Sequence, residues 1–232
     1  MMQVTYLGHS GFLVEVEDAF FLFDYYQGEL PKMDPGKTLF VCVSHVHYDH
    51  YNPQIFQLQE KMPDIQFLLS DDILDVRETE QVWQLSPKMT LEIKGARIQT
   101  LPSTDEGIAF FISYQGHVIY HAGDLNWWHW EGESEEYNRQ MKEAYQSALL
   151  QLPDTRIDVA FVPVDLRLGT QYVWGLDYFM RHTDTARVFP MHFWGNYDVF
   201  SRLLEEPCTR EYRKKIVPIE KEGQKFDIPD ET

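Results

Sequence analysis

Ser44-His45-Val46-His47-Tyr48-Asp49-His50 places three histidines and one aspartate within six residues, 45–50. The apolar run at 39–43, Leu-Phe-Val-Cys-Val, comes just before it and predicts a buried strand. Asn52 and Pro53 follow as N-cap and first residue of a helix expected over 53–61. Four potential ligands therefore crowd one strand-to-helix loop. Imidazole and carboxylate together suit zinc, iron or manganese.

Upstream, residues 4–7 read as a strand that ends at Gly8-His9-Ser10-Gly11. A hairpin follows, with arms at 12–16 and 19–24, the second ending in Asp24. Downstream, strands are expected at 65–69, 91–94 and 97–101, with a short helix at 71–78. A second hairpin spans 108–113 and 118–124 and ends in Asp124. Both hairpins start after a glycine and deliver an aspartate, which leaves an internal duplication open. Residues 127–130, Trp-Trp-His-Trp, fit neither helical nor strand amphipathicity. Helices are expected at 137–150, 176–181 and 199–205, and strands at 159–164 and 187–191, followed by Asp165 and His192. A last short strand is expected near 216–217, then a polar end.

The alternation of strands and helices predicts a mixed α/β fold, read as one domain over 1–232. Asp24, His45, Asp124, Asp165 and His192 all stand at strand ends, where α/β sheets collect their functional groups.

With 20 basic and 37 acidic residues the net charge is −17, a poor match to a phosphate backbone. No nucleic-acid partner is expected. Cys42 and Cys208 form no disulfide framework, and Cys42 in its apolar strand reads as an inert buried thiol. The sequence shows no signal segment and no apolar run of ~18–20 residues. No membrane partner and a cytoplasmic location are expected, and a homo-oligomer is left open.

Residues 45–50 match the His-x-His-x-Asp-His signature of the metallo-β-lactamase fold superfamily, and Gly123-Asp124 and His192 resemble its next elements in order and spacing. Gly8-His9-Ser10 and Asp24 resemble the branch of ascorbate-phosphate lactonase-like hydrolases. The resemblance spans residues 4 to about 217. It implies a four-layer αββα sandwich with one or two zinc ions, or manganese or iron(II), at one edge. It further implies that His45 and His47 serve a first metal, that Asp49, His50 and His192 serve a second, and that Asp124 bridges them. Asp24 would fix the tautomer of a ligand imidazole.

One position departs from the family pattern. Ser103 stands where most members have a metal-binding histidine; Asp105 or water would take its place, or the first site would be weak or empty.

The expected function is hydrolysis of a small ester, lactone, phosphoester or amide by metal-activated water. Asp49 would orient the nucleophile and accept a proton. His9 would act at the pocket mouth or simply cap its turn. Trp127 and Trp194 would lie near the metals, as a stacking wall or as cover for the core edge. His121, His129 and His182 read as structural. The alternative is a metal-binding protein of the same fold without turnover, a sensor or scaffold, suggested by the missing histidine.

Overall fold

In a computed structural model of the chain, residues 1–74, 76 and 79–229 are described. The chain divides into two compact units, Met1–Ser86 with Glu220–Thr232, and Pro87–Ile219. In chain order the first unit carries β1 (Met2–Gly8), β2 (Gly11–Glu15), β3 (Ala19–Phe23), β4 (Thr38–Val43), β5 (Ile65–Ser70) and β6 (Val82–Leu85). The second carries β7 (Thr90–Ile93), β8 (Ala96–Pro102), β9 (Ile108–Tyr114), β10 (His117–His121), α1 (Glu135–Leu149), β11 (Ile157–Pro163), α2 (Trp174–His182), β12 (Thr185–Met191) and α3 (Asp198–Glu205). Strand β13 (Lys225–Ile228) returns to the first unit.

The first unit's sheet has the order β13-β1-β2-β3-β4-β5-β6. Its first pairings, from β13 through β3, are antiparallel, and β3 to β6 run parallel. The second unit's sheet, β12-β11-β10-β9-β8-β7, follows the same plan: an antiparallel meander from β7 to β10, then parallel β10, β11 and β12. In each, the hairpin identified in the sequence (β2–β3, β9–β10) leads into the parallel half. Every residue of β3 is buried, as its unbroken apolar run requires. Phe20, Leu22, Val41, Phe67 and Leu69 build one core of this unit. In the second, Tyr120 stacks on Phe179 of α2, with centroids 5.0 Å apart.

Several elements differ from expectation, among them the strand β6, which no sequence signal announced. Residues 53–60 form a 3₁₀ helix, capped by the Asn52 side chain as expected. Only Ile55 of it is buried, so little packing sustains a longer α-helix. Residues 71 and 72 form a turn, and 75, 77 and 78 of the expected helix lie outside the described residues. The tail pairs only through a bridge, Val188 to Ile216, whereas residues 225–228, read as a polar end, form β13 against β1.

Candidate metal centre

The motif loop leaves β4 and is pinned on both sides. Val46 N–H donates to Asp72 Oδ2 at 3.0 Å, and the Asn52 amide donates to the Tyr26 carbonyl at 3.0 Å. Within the loop, His50 and Tyr51 N–H both donate to the His47 carbonyl. Tyr48 projects outward, 75% exposed, while His45 and His50 are fully buried.

Asp24, at the end of β3 and wholly buried, organises this loop. Its Oδ1 accepts from Ser44 N–H at 2.8 Å. Its Oδ2 accepts from the Ser44 hydroxyl at 2.7 Å and from His50 Nδ1 at 2.7 Å. With its proton given to Asp24, Ser44 Oγ is an acceptor for His45 Nδ1, 2.9 Å away. Both imidazoles are thereby set with Nδ1 protonated and the lone pair on Nε2. His45 Nε2 lies 3.0 Å from His47 Nδ1, so the two rings converge on one point.

His9, Asp49 and His50 each present a ligand atom within 4.8 Å of the others. His9 is buried rather than at a pocket mouth: its Nε2 lies 3.2 Å from Asp49 Oδ2, and its ring stands edge-on to His50 and Tyr26. Burial pushes the Asp49 carboxyl up, but the His9 hydrogen bond and the nearby His50 outweigh it and hold it at about 2. Asp49 is therefore an anion across the neutral range. Tyr26 is driven to about 12 by burial and by Asp49.

In the second unit, His192 closes β12. Its Nε2 lies 3.5 Å from Asp124 Oδ1 and its Nδ1 3.0 Å from Asp165 Oδ2. Asp165 thus does for His192 what Asp24 does for His50. Burial raises the Asp165 carboxyl, and hydrogen bonds from His192 and Arg167 overcome this and hold it at about 2. Asp124 is presented by a turn in which Gly123 N–H donates to His121 Nδ1 at 3.1 Å, a structural role for His121. The Trp128 indole N–H donates to the Asp124 carbonyl at 2.9 Å, and its ring meets His192 edge-on at 5.4 Å.

The tryptophan loop is two-faced. Trp128 and Trp130 stack on each other, Trp128 touches His192, and Arg167 lies over Trp130 and Trp194. Trp127 and His129 both approach Trp174 instead. Residues 127–130 thus alternate like a strand: Trp127, expected near the metals, packs on Trp174, and its neighbour Trp128 contacts His192. Trp194 does lie beside His192, at 5.6 Å.

Asp105 is expected as a substitute ligand and stands in the turn at 103–107. It is exposed, stands outside the donor clusters found among the described residues, and raises the pKa of Tyr137, which places its carboxylate near α1. The turn at 103–107 contributes Thr104 instead. Its buried hydroxyl accepts from Asn126 N–H at 3.0 Å and donates to the Asn126 carbonyl at 2.6 Å, bracing the chain just after Asp124. Thr104 and Asp72 escaped the sequence reading because each acts on backbone groups more than twenty residues away, at Asn126 and Val46.

Backbone strain concentrates here. Of seven non-glycine residues with positive φ among the described residues, His9 and Asp24 stand in the first unit's cluster and His192 and Trp194 in the second's. Such conformations persist where the surroundings over-determine them. The donor set is imidazole nitrogen and carboxylate oxygen, buried except for the half-buried His47, and fits a borderline divalent ion. The buried Cys42 thiol, its pKa raised by burial and Asp24, suits no ligand role.

Among the described residues no helix is long and apolar enough to cross a membrane. The fold is shared with solved structures. A metallo hydrolase of Ignicoccus hospitalis superposes with TM-score 0.63 at 18% identity, covering 98% of this chain and 99% of that one. A metallo-beta-lactamase fold protein of Bacillus subtilis gives TM-score 0.63 at 15% identity over 97% and 98% of the two chains. A UPF0173 metal-dependent hydrolase of Salinibacter ruber is 40% identical over 55 residues, 22% of this chain and 24% of that protein, so the chain spans about a quarter of this curated relative. Residues 3–136, more than half of the chain, match the family model of the beta-lactamase superfamily domain, and the chain belongs to that family.

Proposed function

We propose that the protein is a metal-dependent hydrolase of a small ester, lactone, phosphoester or amide. Its ligand set is His45, His47, Asp49, His50, Asp124 and His192, and zinc is the favoured ion, ahead of manganese and iron(II). The observation that carries this reading is the Asp24 network. One buried carboxylate holds His50 Nδ1 directly and His45 Nδ1 through the Ser44 hydroxyl, so both rings turn their Nε2 edge away from Asp24, an arrangement ordinary core packing does not require. The names of the Salinibacter and Ignicoccus proteins support the same class.

A divalent ion supplies Lewis acidity and acidifies water towards neutral pH. The chain's own residues supply the rest. His9 holds Asp49 Oδ2, and Asp49, ionised throughout, accepts a hydrogen bond from the attacking water and aims it. Trp128 and Trp194 flank His192 and exclude bulk water from its faces. Asp165 keeps His192 in one tautomer. Arg167, over the Trp194 ring, is paired with Asp165 and holds that carboxylate against His192.

The test is turnover by protein stripped with a chelator and reloaded with zinc, manganese or iron(II), on a panel of the four bond classes. Hydrolysis of at least one class, lost on stripping and regained on loading, is expected. Tight metal binding without turnover on any class would favour the second reading, a metal-binding sensor or scaffold. The turn at 103–107, which offers no imidazole, is the observation behind that reading. Failure to bind metal at all would sink both.

A further inference from the structure

The second unit holds a cavity of about 790 Å³ among the tryptophan loop, α1 and α2, a volume within the usual range for small-molecule sites. It is built from none of the proposed metal ligands. Its walls are aromatic, and around Trp127 and Trp174 the rings stand at steep angles: Trp127 meets Trp174 at 5.4 Å and 62°, and Tyr178 at 6.1 Å and 79°, while His129 meets Trp174 at 4.9 Å and 62°. Rings so arranged form the corner of a box rather than a stack. The sequence constructs that corner. Gly175 follows Trp174 and Asn126 precedes Trp127, and a Cβ on Gly175 would lie 1.9 Å from Asn126 Oδ1. Glycine at 175 lets the two segments approach closely enough for the neighbouring indoles to meet.

The charges around the cavity decide what it takes. Two of its three cations are already engaged, Arg139 by Glu136 and Arg181 by Asp177 and Glu211. The third, Lys142, has its ammonium 5.4 Å from the Trp127 ring centre, so this indole face already attracts a cation. Against it stand Glu131, Glu133 and Glu135, which make no ion pair among the described residues. Glu135 is accounted for by its place in the first turn of α1, but Glu131 and Glu133 lie in the loop. A net charge of −17 adds a field that draws cations. Aromatic faces combined with unpaired carboxylates are the chemistry that recognises an ammonium group.

We propose that this cavity is a binding site for a small organic cation, an amine or quaternary ammonium, held against Trp127 and Trp174 and neutralised by Glu131 and Glu133. Lys142 is its internal competitor. The site is independent of the metal reading, and its test does not use turnover.

Tetramethylammonium and benzyltrimethylammonium chloride are titrated into the full chain at constant ionic strength, followed by tryptophan fluorescence and calorimetry. The uncharged isostere of each, with carbon in place of the ammonium nitrogen, is run beside it. Saturable binding of the cations and not of the isosteres is expected. Trp174→Ala should weaken it about tenfold, Trp174→Phe should recover part of the loss, and Lys142→Gln should tighten it. Equal binding of the isosteres, no saturation by either cation, or weaker binding in Lys142→Gln would overturn the proposal. If Trp174→Ala fails to fold, the Lys142→Gln and isostere comparisons decide alone.

Discussion

Asp24 accepts three hydrogen bonds while wholly buried, and two of them determine which nitrogen of His50 and His45 faces outward. Asp24→Asn preserves shape but removes the anion and converts one acceptor into a donor. Metal affinity should fall roughly 10- to 100-fold, measured by competition with a chromophoric chelator, with little change in the circular dichroism spectrum. Unchanged affinity would mean that Asp24 only fills space. Thr104 makes a different prediction. Thr104→Val keeps the branched shape but strands the Asn126 N–H, which should cost about 1–3 kcal/mol in chemical denaturation. At this scale the sequence singles out His45 to His50 because potential ligands at short fixed spacing are a local pattern, and the structure gathers His45 with His47 and Asp49 with His50. His9 was ambiguous, since a histidine in a Gly-His-Ser-Gly turn can cap or coordinate. Its burial against Asp49 settles where it points. Asp105 stands outside the donor clusters found among the described residues, because residue type alone does not reveal which way a turn aims.

At the level of elements, the loop at 126–130 carries most of what the sequence hid. Three tryptophans in four residues match no amphipathic period over a longer window, yet the loop sends alternate side chains to opposite faces. Its backbone is held by Thr104 and by Asn138, whose amide exchanges two hydrogen bonds with the Trp130 backbone. Gly175 is its tightest neighbour. Gly175→Ala would push a methyl into Asn126 Oδ1 and should cost about 1–3 kcal/mol, read as a lowered melting temperature. A melting temperature equal to wild type would show that the loop yields freely. Central strands such as β3 and β4 were legible from their apolar runs. Edge strands β6 and β13 were not, because a strand such as Lys225–Ile228 exists by pairing with Met2 to Thr5 at the other end of the sequence. Nothing local in a charged tail announces such a partner.

For the whole molecule, the two sheets repeat one plan, an antiparallel meander running into parallel strands whose ends bear the donors. The matching hairpins ending at Asp24 and Asp124 were the visible trace of this in the sequence. Stability across the molecule also has an alkaline limit. Tyr120 and Tyr145 are fully buried, and burial raises both phenols well above their ordinary value. A folded pKa above the unfolded one means stability is intact below about pH 10 and declines as pH rises beyond it, because only the unfolded chain releases the proton. The melting temperature should therefore fall steeply above about pH 10. Tyr145→Phe should flatten that fall, at the cost near neutral pH of its hydrogen bond to the Gly175 carbonyl. An equally steep fall in the variant would place the alkaline limit elsewhere.

The central claim is that the loop from His45 to His50 organises a catalytic divalent metal. Elemental analysis of protein reloaded with zinc, manganese or iron(II) and then desalted, wild type beside His50→Ala, tests it most directly. The account predicts at least one tightly held divalent ion per chain in the wild type, and loss of metal in His50→Ala while the fold persists by circular dichroism. Equal metal content in the two proteins, or none in either, would contradict it.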